Sequence, residues 1–525
     1  MTSDVEVTVT GLPFDEKAVT GIRISYGINT IPFALITLDS TAVNVLCNPE
    51  QYKNRDNEVR IAIKSKTGCI YFDGFLDGVS VNQTVGGMSY SVVIKNKFQR
   101  LFEIYPKCVG VMPASFAIFT APNNLKIEQD SRTLFREMTV ARTKLNLNLP
   151  IGELLLEYIK LTIKSQVQWE LNTNKLAIKY NQIVKQFSDA AYINNAQFGL
   201  DLLSEENTDI SLLRKCKILG YQCAEDVLNL TLGDHTDLWD MMLRTYSYLG
   251  CCLIIANNKM FIVPEASFLR GNLSKTGDRP NLALPNQYSG FSVNDIGYTN
   301  LAACHVMIDS AALPAGTTAD LPQLITQYMG MYPAEGASVE NSEGGTGILI
   351  VKASPFLMNG LTRGYCRNKN IQEKISNQDS HFSAVVTDSG NVKAAREASN
   401  EKYRSDLEDQ KKILNGYAKT KYLQAKYGDR TGSLNTYFNP KWVPGTTGTL
   451  YTKQPGLFYQ FYVNSVTHDI TLSAPNSGNA LTSVNFSATR AGSSELPGLR
   501  EDGLYGYDTS AMEALQTKWI NDISK

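Results

Sequence analysis

The sequence lacks the patterns on which most catalytic and cofactor sites depend. It has four histidines in 525 residues, and none belongs to an HExxH, HxxxH or HxH motif. No GxSxG, GxGxxG or GxxxxGK[ST] stretch is present. Acidic pairs such as Glu205 and Glu206 lie in polar segments that are typical of a solvated surface. We therefore expect a protein without enzyme activity, bound metal or cofactor.

An excess of charge of either sign is also absent. The chain has 50 basic and 51 acidic residues, which argues against a general binder of nucleic acid or anionic membranes. It lacks an apolar run of about 18 residues, and its first residues, MTSDVEVTVT, lack the basic and apolar regions of a signal peptide. Nine cysteines form no CxxC pair, which favours reduced, mostly buried thiols. We expect a soluble protein that stays in the compartment where it is made.

Strand patterns occupy both ends of the chain. Apolar residues alternate with polar ones at 5–9 and 59–63, and the stretch from Cys69 to Val85 rises to a Gly86-Gly87 hairpin turn. A short helix-like segment, NKFQRLFEI, follows it. Short strands return after residue 286. The sequence therefore predicts two β-rich regions with other structure between them.

Helical patterns fill the middle of the chain. PIGELLLEYIKLTIKS carries apolar residues three and four apart, and GDHTDLWDMMLRTYSYLG does the same before a hairpin, CCLIIANNKMFIVPE. We expect Asp234 and Thr236 to cap the second helix, so that His235 belongs to the cap and not to a metal site. A long polar helix is predicted at 392–427 and a last amphipathic helix at 510–523.

The fold class that follows is α+β and β-rich. The predicted divisions are a first β domain at 1–115, a helical and α+β insert at 116–285, a second β domain at 286–491 that helix 392–427 interrupts, and a C-terminal loop and helix at 492–525. The two late helices have narrow apolar faces, which suggests contacts along a surface or with another chain. The residues proposed for such intersubunit contacts are Tyr403, Leu407, Leu414, Tyr417 and Trp519.

The pair His468–Asp469 is the strongest candidate for catalytic chemistry, and strand geometry argues against it. Neighbouring side chains on a strand point to opposite faces, so the two cannot be nearest partners. We expect His468 to pack among apolar residues and to share one face with Tyr462 and Val466. The aromatic run FYQFY beside them could stack sugars or bases, but without flanking basic residues a buried or subunit-facing strand is favoured.

Three stretches together resemble phage tail hub proteins. EVRIAIKSKTGCIYFDGFLDGVSVNQTVGGMSYSVVIKNKFQRL resembles the first barrel of a hub, and HTDLWDMMLRTYSYLGCCLIIANNKMFIVPE is similar to the helix and hairpin between its barrels. WVPGTTGTLYTKQPGLFYQFYVNSVTHDITLSAPNSGNALTSVNFSATRAG resembles the closing barrel strands. The stretches occur in the same order as in hubs and leave the helical insert unmatched.

The resemblance implies a structural virion protein. Hubs of contractile phage baseplates, and the related parts of type VI secretion spikes and tailocins, are homotrimers whose chains each hold two barrels like the tail-tube subunit. Such a trimer presents six similar domains and adapts a hexameric tube to a trimeric central spike. The implied partners are the tail tube or distal tail ring proteins, the spike and other baseplate (wedge) proteins, with DNA only as cargo in the channel. The implied location is the virion tail, assembled in the bacterial host cytoplasm.

Two alternatives from other classes stay open. A tail protein of this size could degrade the host cell wall, although no fitting pair of carboxylates or zinc ligands is found. It could also bind a host receptor through FYQFY or through the tail GLREDGLYGYD.

Overall fold

The structure is a computed structural model that describes most of both ends of the chain and parts of its middle. The described residues are 3–13, 16–39, 58–84, 87–104, 196–211, 237–248, 251–264, 281–294, 301–308, 330–332, 347–353, 431–474 and 476–491, with separate residues within 153–164 and 415–430 and at 194. Strands dominate them, so the β-rich class predicted from the sequence is confirmed. No described helix is long and apolar enough to cross a membrane.

The strands are numbered in chain order. The first six are β1 (Ser3–Thr10), β2 (Val19–Gly27), β3 (Phe33–Leu38), β4 (Glu58–Ser65), β5 (Gly68–Thr84) and β6 (Gly87–Asn96). The middle eight are β7 (Thr208–Asp209), β8 (Cys251–Ala256), β9 (Lys259–Pro264), β10 (Leu282–Ala283), β11 (Tyr288–Asn294), β12 (Leu301–Ile308), β13 (Gly330–Tyr332) and β14 (Gly347–Ala353). The last four are β15 (Thr431–Tyr437), β16 (Thr447–Tyr451), β17 (Phe458–Ala474) and β18 (Ser477–Ala491).

Strands from both ends of the chain close into one antiparallel barrel. The pairings run β17–β2–β3–β6–β5–β4–β1–β18 and return to β17. Its core holds the alternating valines of β1 and the apolar residues of β4 that the sequence pattern predicted, such as Val7 and Ile61. Because the ring closes, each of its strands pairs with a strand on both sides over part of its length.

A second β body shares the two longest late strands with this ring. The strands β16 and β15 add to opposite edges of the β17–β18 pair, β10 adds to β16, and β11 adds to β15. This body has its own core, which includes Leu434, Trp442, Phe461 and Phe486. The predicted domain boundaries at residues 115 and 286 remain a prediction. Strands from both sides of these boundaries pair with each other, because β17 and β18 complete the ring that the first 96 residues begin.

A β-bulge in β17 corrects one expectation. The pairing with β18 shifts register between Val463 and Ser465, and an extra residue reverses which face each later side chain occupies. Val463 and Val466 therefore both lie in the second core. The prediction that Tyr462 shares a face with Val466 and His468 is therefore wrong. Tyr462 is buried on the other face of β17, with its hydroxyl 3.9 Å from Cys252 Sγ on β8.

A helix packs against the 3₁₀ helix that follows β6 and against a hairpin, and the hairpin contacts both β bodies. Helix α1 (Leu238–Tyr248) follows the predicted pattern and contacts a 3₁₀ helix at Lys97–Glu103, where the sequence predicted a helix. The strands β8 and β9 pair as the predicted hairpin. Leu253 of β8 and Asn29 of the turn after β2 exchange two hydrogen bonds of 2.8 Å, from Asn29 N to Leu253 O and from Leu253 N to Asn29 Oδ1. This hairpin ties the insert to the barrel.

Part of the predicted long helix contacts a separate three-stranded sheet. The strand β12 lies between β13 and β14. Of helix 392–427 the structure describes separate helical residues from 415 onward, among them Ala418 and Tyr422, which are buried. The Tyr422 hydroxyl donates to Leu301 O over 3.1 Å, and its ring contacts Tyr332. These residues pack against their own chain.

Candidate functional site

His468 lies inside the closed barrel. It is 1% exposed, its Nδ1 is 2.9 Å from Thr482 Oγ1, and its ring makes edge contacts with Tyr26 and Phe438. Burial lowers the pKa of His468 to about 3, because a charged imidazole would lose its hydration there. The imidazole is therefore neutral at physiological pH.

Asp469 lies on the outer face of the same strand. Its carboxylate accepts a hydrogen bond from Arg23 Nε on β2, and both side chains are exposed. The two faces of β17 thus keep His468 and Asp469 apart, as strand geometry predicted. The pair is part of the scaffold and forms no catalytic dyad.

The remaining histidine sites offer no metal centre within the described residues. His235 and His381 lie outside these residues, and so do the predicted cap residues Asp234 and Thr236. The side chain of Asp237 accepts from Asp240 N over 2.8 Å at the start of α1 and acts as its cap. The structure brings no group of three histidine, cysteine or acidic side chains together in the part of the chain that it describes.

All five residues proposed for intersubunit contacts lie outside the described part of the chain. These are Tyr403, Leu407, Leu414, Tyr417 and Trp519. They remain predictions, and the described residues must supply the candidate surfaces instead.

One outer face of the sheet carries a patch of hydroxyl and amide side chains, which we call the hydroxyl face; the next row on the same side of the sheet is Arg23, Asp469, Leu481 and Tyr437. The hydroxyl face crosses β2, β17, β18, β15 and β11, and its members are Ser25, Thr467, Ser465, Asn485, Ser483, Asn435, Ser433 and Ser292. Each of the four strand junctions is spanned by a hydrogen bond between these side chains. The bonds are Ser25 to Thr467 (3.3 Å), Asn485 to Ser465 (3.1 Å), Ser483 to Asn435 (2.8 Å) and Ser292 to Ser433 (2.9 Å).

Charge is scarce on these five strands. Their sequences contain Arg23, Asp469 and Arg490 as the only Asp, Glu, Lys or Arg residues, and the first two pair with each other. In contrast, the two shorter strands β1 and β4 carry five such residues, namely Asp4, Glu6, Glu58, Arg60 and Lys64. One barrel therefore presents two outer faces of different chemistry.

The sequence contains a pattern that predicts part of the hydroxyl face. In TGSLNTY of β15 and LTSVNFSAT of β18, serine and asparagine alternate with buried Leu, Val and Phe. Alternation predicts that the polar residues share a face. It does not reveal which other strands continue that face.

Aromatic side chains of β11, β16 and β17 contact one another in the second body. The Tyr288 hydroxyl on β11 donates to Tyr451 O on β16 over 3.2 Å, and Phe291 contacts Tyr459. The run FYQFY begins here and lies in β17, as predicted, with its last three residues buried. Phe291 and Tyr451 are exposed.

A cavity lies where the two β bodies meet. It has a volume of about 390 Å³. Phe438 of the first core and Trp442 of the second line it, together with Asp4 and Lys66. The cavity is lined by one acidic side chain, one basic side chain and several apolar ones. Neither His468 nor Asp469, the candidates for catalysis, lines it.

Comparison with known proteins gives matches in structure only. No family model matches the sequence, and no curated protein does. The chain is similar to the tail protein from Neisseria meningitidis MC58, with 8% identity and a TM-score of 0.39 over 92% of this chain and 96% of that one. It is also similar to the 43 kDa tail protein of prophage MuSo2 from Shewanella oneidensis, with 9% identity and a TM-score of 0.38 over 93% and 100%.

A third similar structure is a component of the type VI secretion system of Escherichia coli, described as similar to the bacteriophage T4 tail proteins gp27 and gp5. It shares 8% identity at a TM-score of 0.33 over 91% of this chain and 76% of that one. Identities and TM-scores are low throughout. The three structures are two tail proteins and one component of a type VI secretion system.

Proposed function

We propose that this chain is a structural hub of a phage-type tail or baseplate, which assembles as a homotrimer between a hexameric tail tube and a trimeric central spike. The observation that carries the proposal is the presence of two β bodies, each with its own core, in one chain. Three copies would place six such bodies around one axis, so a single assembly could meet a six-fold partner on one side and a three-fold partner on the other.

The shared strands support a rigid adaptor. The strands β17 and β18 belong to both bodies, and 17 and 15 residues make them long enough to do so. The two bodies are therefore joined by paired backbone and not by a flexible linker. An adaptor between rings of different symmetry needs fixed spacing between its repeated units, and this connection supplies it.

The proposed partners and place follow from that role. They are two further copies of the chain, the tail tube or distal tail ring proteins, the spike protein and other baseplate proteins. The place is the virion tail, with assembly in the host cytoplasm. The chain acts by packing against its partners and catalyses no reaction.

Light scattering on the purified full chain tests the oligomer. We expect a mass three times that of the 58.1 kDa chain, and ring-shaped particles with a central hole in negative-stain images. A chain that remains monomeric at micromolar concentration, both alone and with tail-tube protein, would contradict the proposal. Clearing of bacterial peptidoglycan in a zymogram would contradict the non-enzymatic role.

A further inference from the structure

One short loop contributes a side chain to each of the two hydrophobic cores. It covers residues 438–442 between β15 and β16, and we call it the linking loop. Phe438 lies in the core of the closed barrel, whereas Trp442 lies in the core of the second body. Both residues, together with Asn439, also line the cavity between the bodies. A movement of the linking loop would therefore change both cores and the cavity at once.

A chain of hydrogen bonds ties the linking loop to the buried His468. Asn439 N donates to Thr482 Oγ1 over 3.1 Å, and the same oxygen lies 2.9 Å from His468 Nδ1. Because this oxygen accepts from Asn439 N, its own hydrogen is available to be donated to Nδ1. Only an unprotonated Nδ1 can accept that hydrogen. The chain is therefore complete while the imidazole is neutral.

The neighbours of His468 carry no charge in the part of the chain that the structure describes. They are Ile24 and Tyr26 on β2, Thr482 on β18 and Phe438 in the linking loop. Burial raises the pKa of Tyr26, so its hydroxyl stays protonated. The charged groups on the same elements and in the cavity lining are Arg23 and Asp469, which pair on the outer face, and Arg490, Lys441, Asp4 and Lys66. A proton on His468 therefore has no carboxylate in contact with it.

We propose that the linking loop is an acid-operated latch, which stays closed on the barrel while His468 is neutral and opens towards the cavity when His468 takes up a proton. A protonated Nδ1 carries its own hydrogen, so the hydroxyl hydrogen of Thr482 loses its acceptor inside the core. The imidazolium also needs hydration. The cavity can supply that water once the loop moves, because Phe438 contacts the imidazole and also lines the cavity. This inference does not depend on the proposed hub function.

Amide hydrogen exchange of the full chain, followed by mass spectrometry at pH 7 and pH 5, tests the latch. The protection factor of the peptide that covers the linking loop is compared with that of a peptide from β3, a barrel strand without a titratable side chain. With the loop open, His468 takes up a proton at its ordinary pKa of 6.5, and with the loop closed only at about 3. The open fraction should therefore rise about 25-fold between the two pH values. We expect protection to fall by this factor at the loop and to stay unchanged at β3.

Two variants test whether His468 operates the loop. His468→Gln cannot titrate, and we expect its loop protection to be equal at pH 7 and pH 5. Thr482→Val removes the hydroxyl that holds Asn439 N, so its loop should exchange about tenfold faster at pH 7 already. Thr471→Val is the matched control at an exposed position of the same sheet, and it should leave the loop unchanged.

A fall in protection of equal size at the loop and at β3 would mean that acid opens the whole barrel, and this result would overturn the inference. A loop that keeps its protection at pH 5, or that loses it equally in His468→Gln, would overturn it too. If His468→Gln does not fold, the threonine pair decides, since equal loop exchange in Thr482→Val and Thr471→Val contradicts the latch.

Discussion

His468 illustrates how a polar side chain is kept inside an apolar barrel. Its Nδ1 lies beside Thr482 Oγ1, which also accepts a hydrogen bond from Asn439 N over 3.1 Å. Aromatic rings of Tyr26 and Phe438 cover its edges. One satisfied nitrogen and complete burial favour the neutral form, so the imidazole stabilises the fold only while it remains unprotonated.

Acid should therefore destabilise the chain through His468. Its folded pKa of about 3 lies below the ordinary value of 6.5, so between these values the unfolded state binds a proton that the folded state does not, and stability falls as pH falls. We expect His468 to account for a loss of about 2 kcal/mol between pH 7 and pH 5. Denaturant unfolding of the full chain across this range measures it.

His468→Gln is the control, because it keeps a polar partner for Thr482 and cannot titrate. We expect its free energy of unfolding to fall less than that of the unsubstituted chain over the same pH range. Identical pH profiles for the two proteins would show that His468 does not set the acid sensitivity.

At the scale of elements, the hairpin β8–β9 covers a free part of a strand edge in the barrel. Asn257 and Asn258 form its turn with φ of 45° and 62°, which is the geometry of a tight hairpin turn. Their side chains accept from Tyr71 N over 2.9 Å and from Asp73 N over 2.6 Å on β5. Two asparagine side chains thus take the place of a neighbouring strand.

Removing one of these side chains should loosen the hairpin from the barrel. Asn258→Gly keeps the positive φ but leaves Asp73 N without its acceptor, and we expect a loss of about 1–3 kcal/mol. Asn258→Asp keeps the acceptor but replaces the amide that hydrogen-bonds the Asp73 carboxylate by a second negative charge, so this variant should lose stability as well. Chemical unfolding of both variants provides the measurement, and equal stability of Asn258→Gly and the unsubstituted chain would contradict the capping role.

A pair of glycines offers a sharper test of the contact between β8 and the second body. Gly445 and Gly456 have nearly equal φ of +78° and +79°, but a Cβ at Gly445 would lie 2.2 Å from Ile254 Cδ1, whereas at Gly456 it would meet nothing within 4 Å. We expect Gly456→Ala to cost about 1–2 kcal/mol from backbone strain alone. Gly445→Ala should cost about 1–3 kcal/mol more through overpacking against β8.

Thermal unfolding of the two alanine variants checks this difference. If both lose the same stability, then β8 is not packed against the loop that holds Gly445.

Elements could be predicted from the sequence where their pattern is local. The alternating valines of β1, the hairpin around Asn257 and the helix that begins at Leu238 all follow from side-chain period and turn residues. The bulge near Ser465 could not be foreseen, because an extra residue leaves no mark in composition. The cap at Asp237 was not predicted, because Asp234, Thr236 and Asp237 are all residue types that suit the N-cap of a helix.

On the scale of the whole molecule, sequence order and spatial order differ. Arg23 on β2 and Asp469 on β17 are 446 residues apart and form an ion pair. Nothing in either local pattern identifies the other strand as its partner, since any alternating strand could fill that place. The hydroxyl face was missed for the same reason, because it exists only once five distant strands are side by side.

The two β bodies should unfold as one unit because they share β17 and β18. Ile24→Ala, at a position that is fully buried in the first core, should cost about 2–5 kcal/mol. We replace the other three of the four tryptophans, Trp169, Trp239 and Trp519, by phenylalanine, so that fluorescence reports only Trp442 in the second core. In this background we expect Ile24→Ala to shift the Trp442 fluorescence transition together with the circular dichroism transition of the whole chain.

Val81→Ala serves as the control, because Val81 is 54% exposed and should leave both transitions in place. A shift in circular dichroism without a shift in the Trp442 signal would mean that the two bodies unfold independently.

Because β17 and β18 close the barrel, the barrel cannot be completed until these late strands have been synthesised. A ribosome adds about 5–20 residues per second, so β1 and β2 leave it on the order of tens of seconds before their partners β18 and β17. During that time the nascent chain exposes two unpaired strand edges that can pair with other chains. The ring therefore closes, and these two edges become paired, only after β17 and β18 have been made.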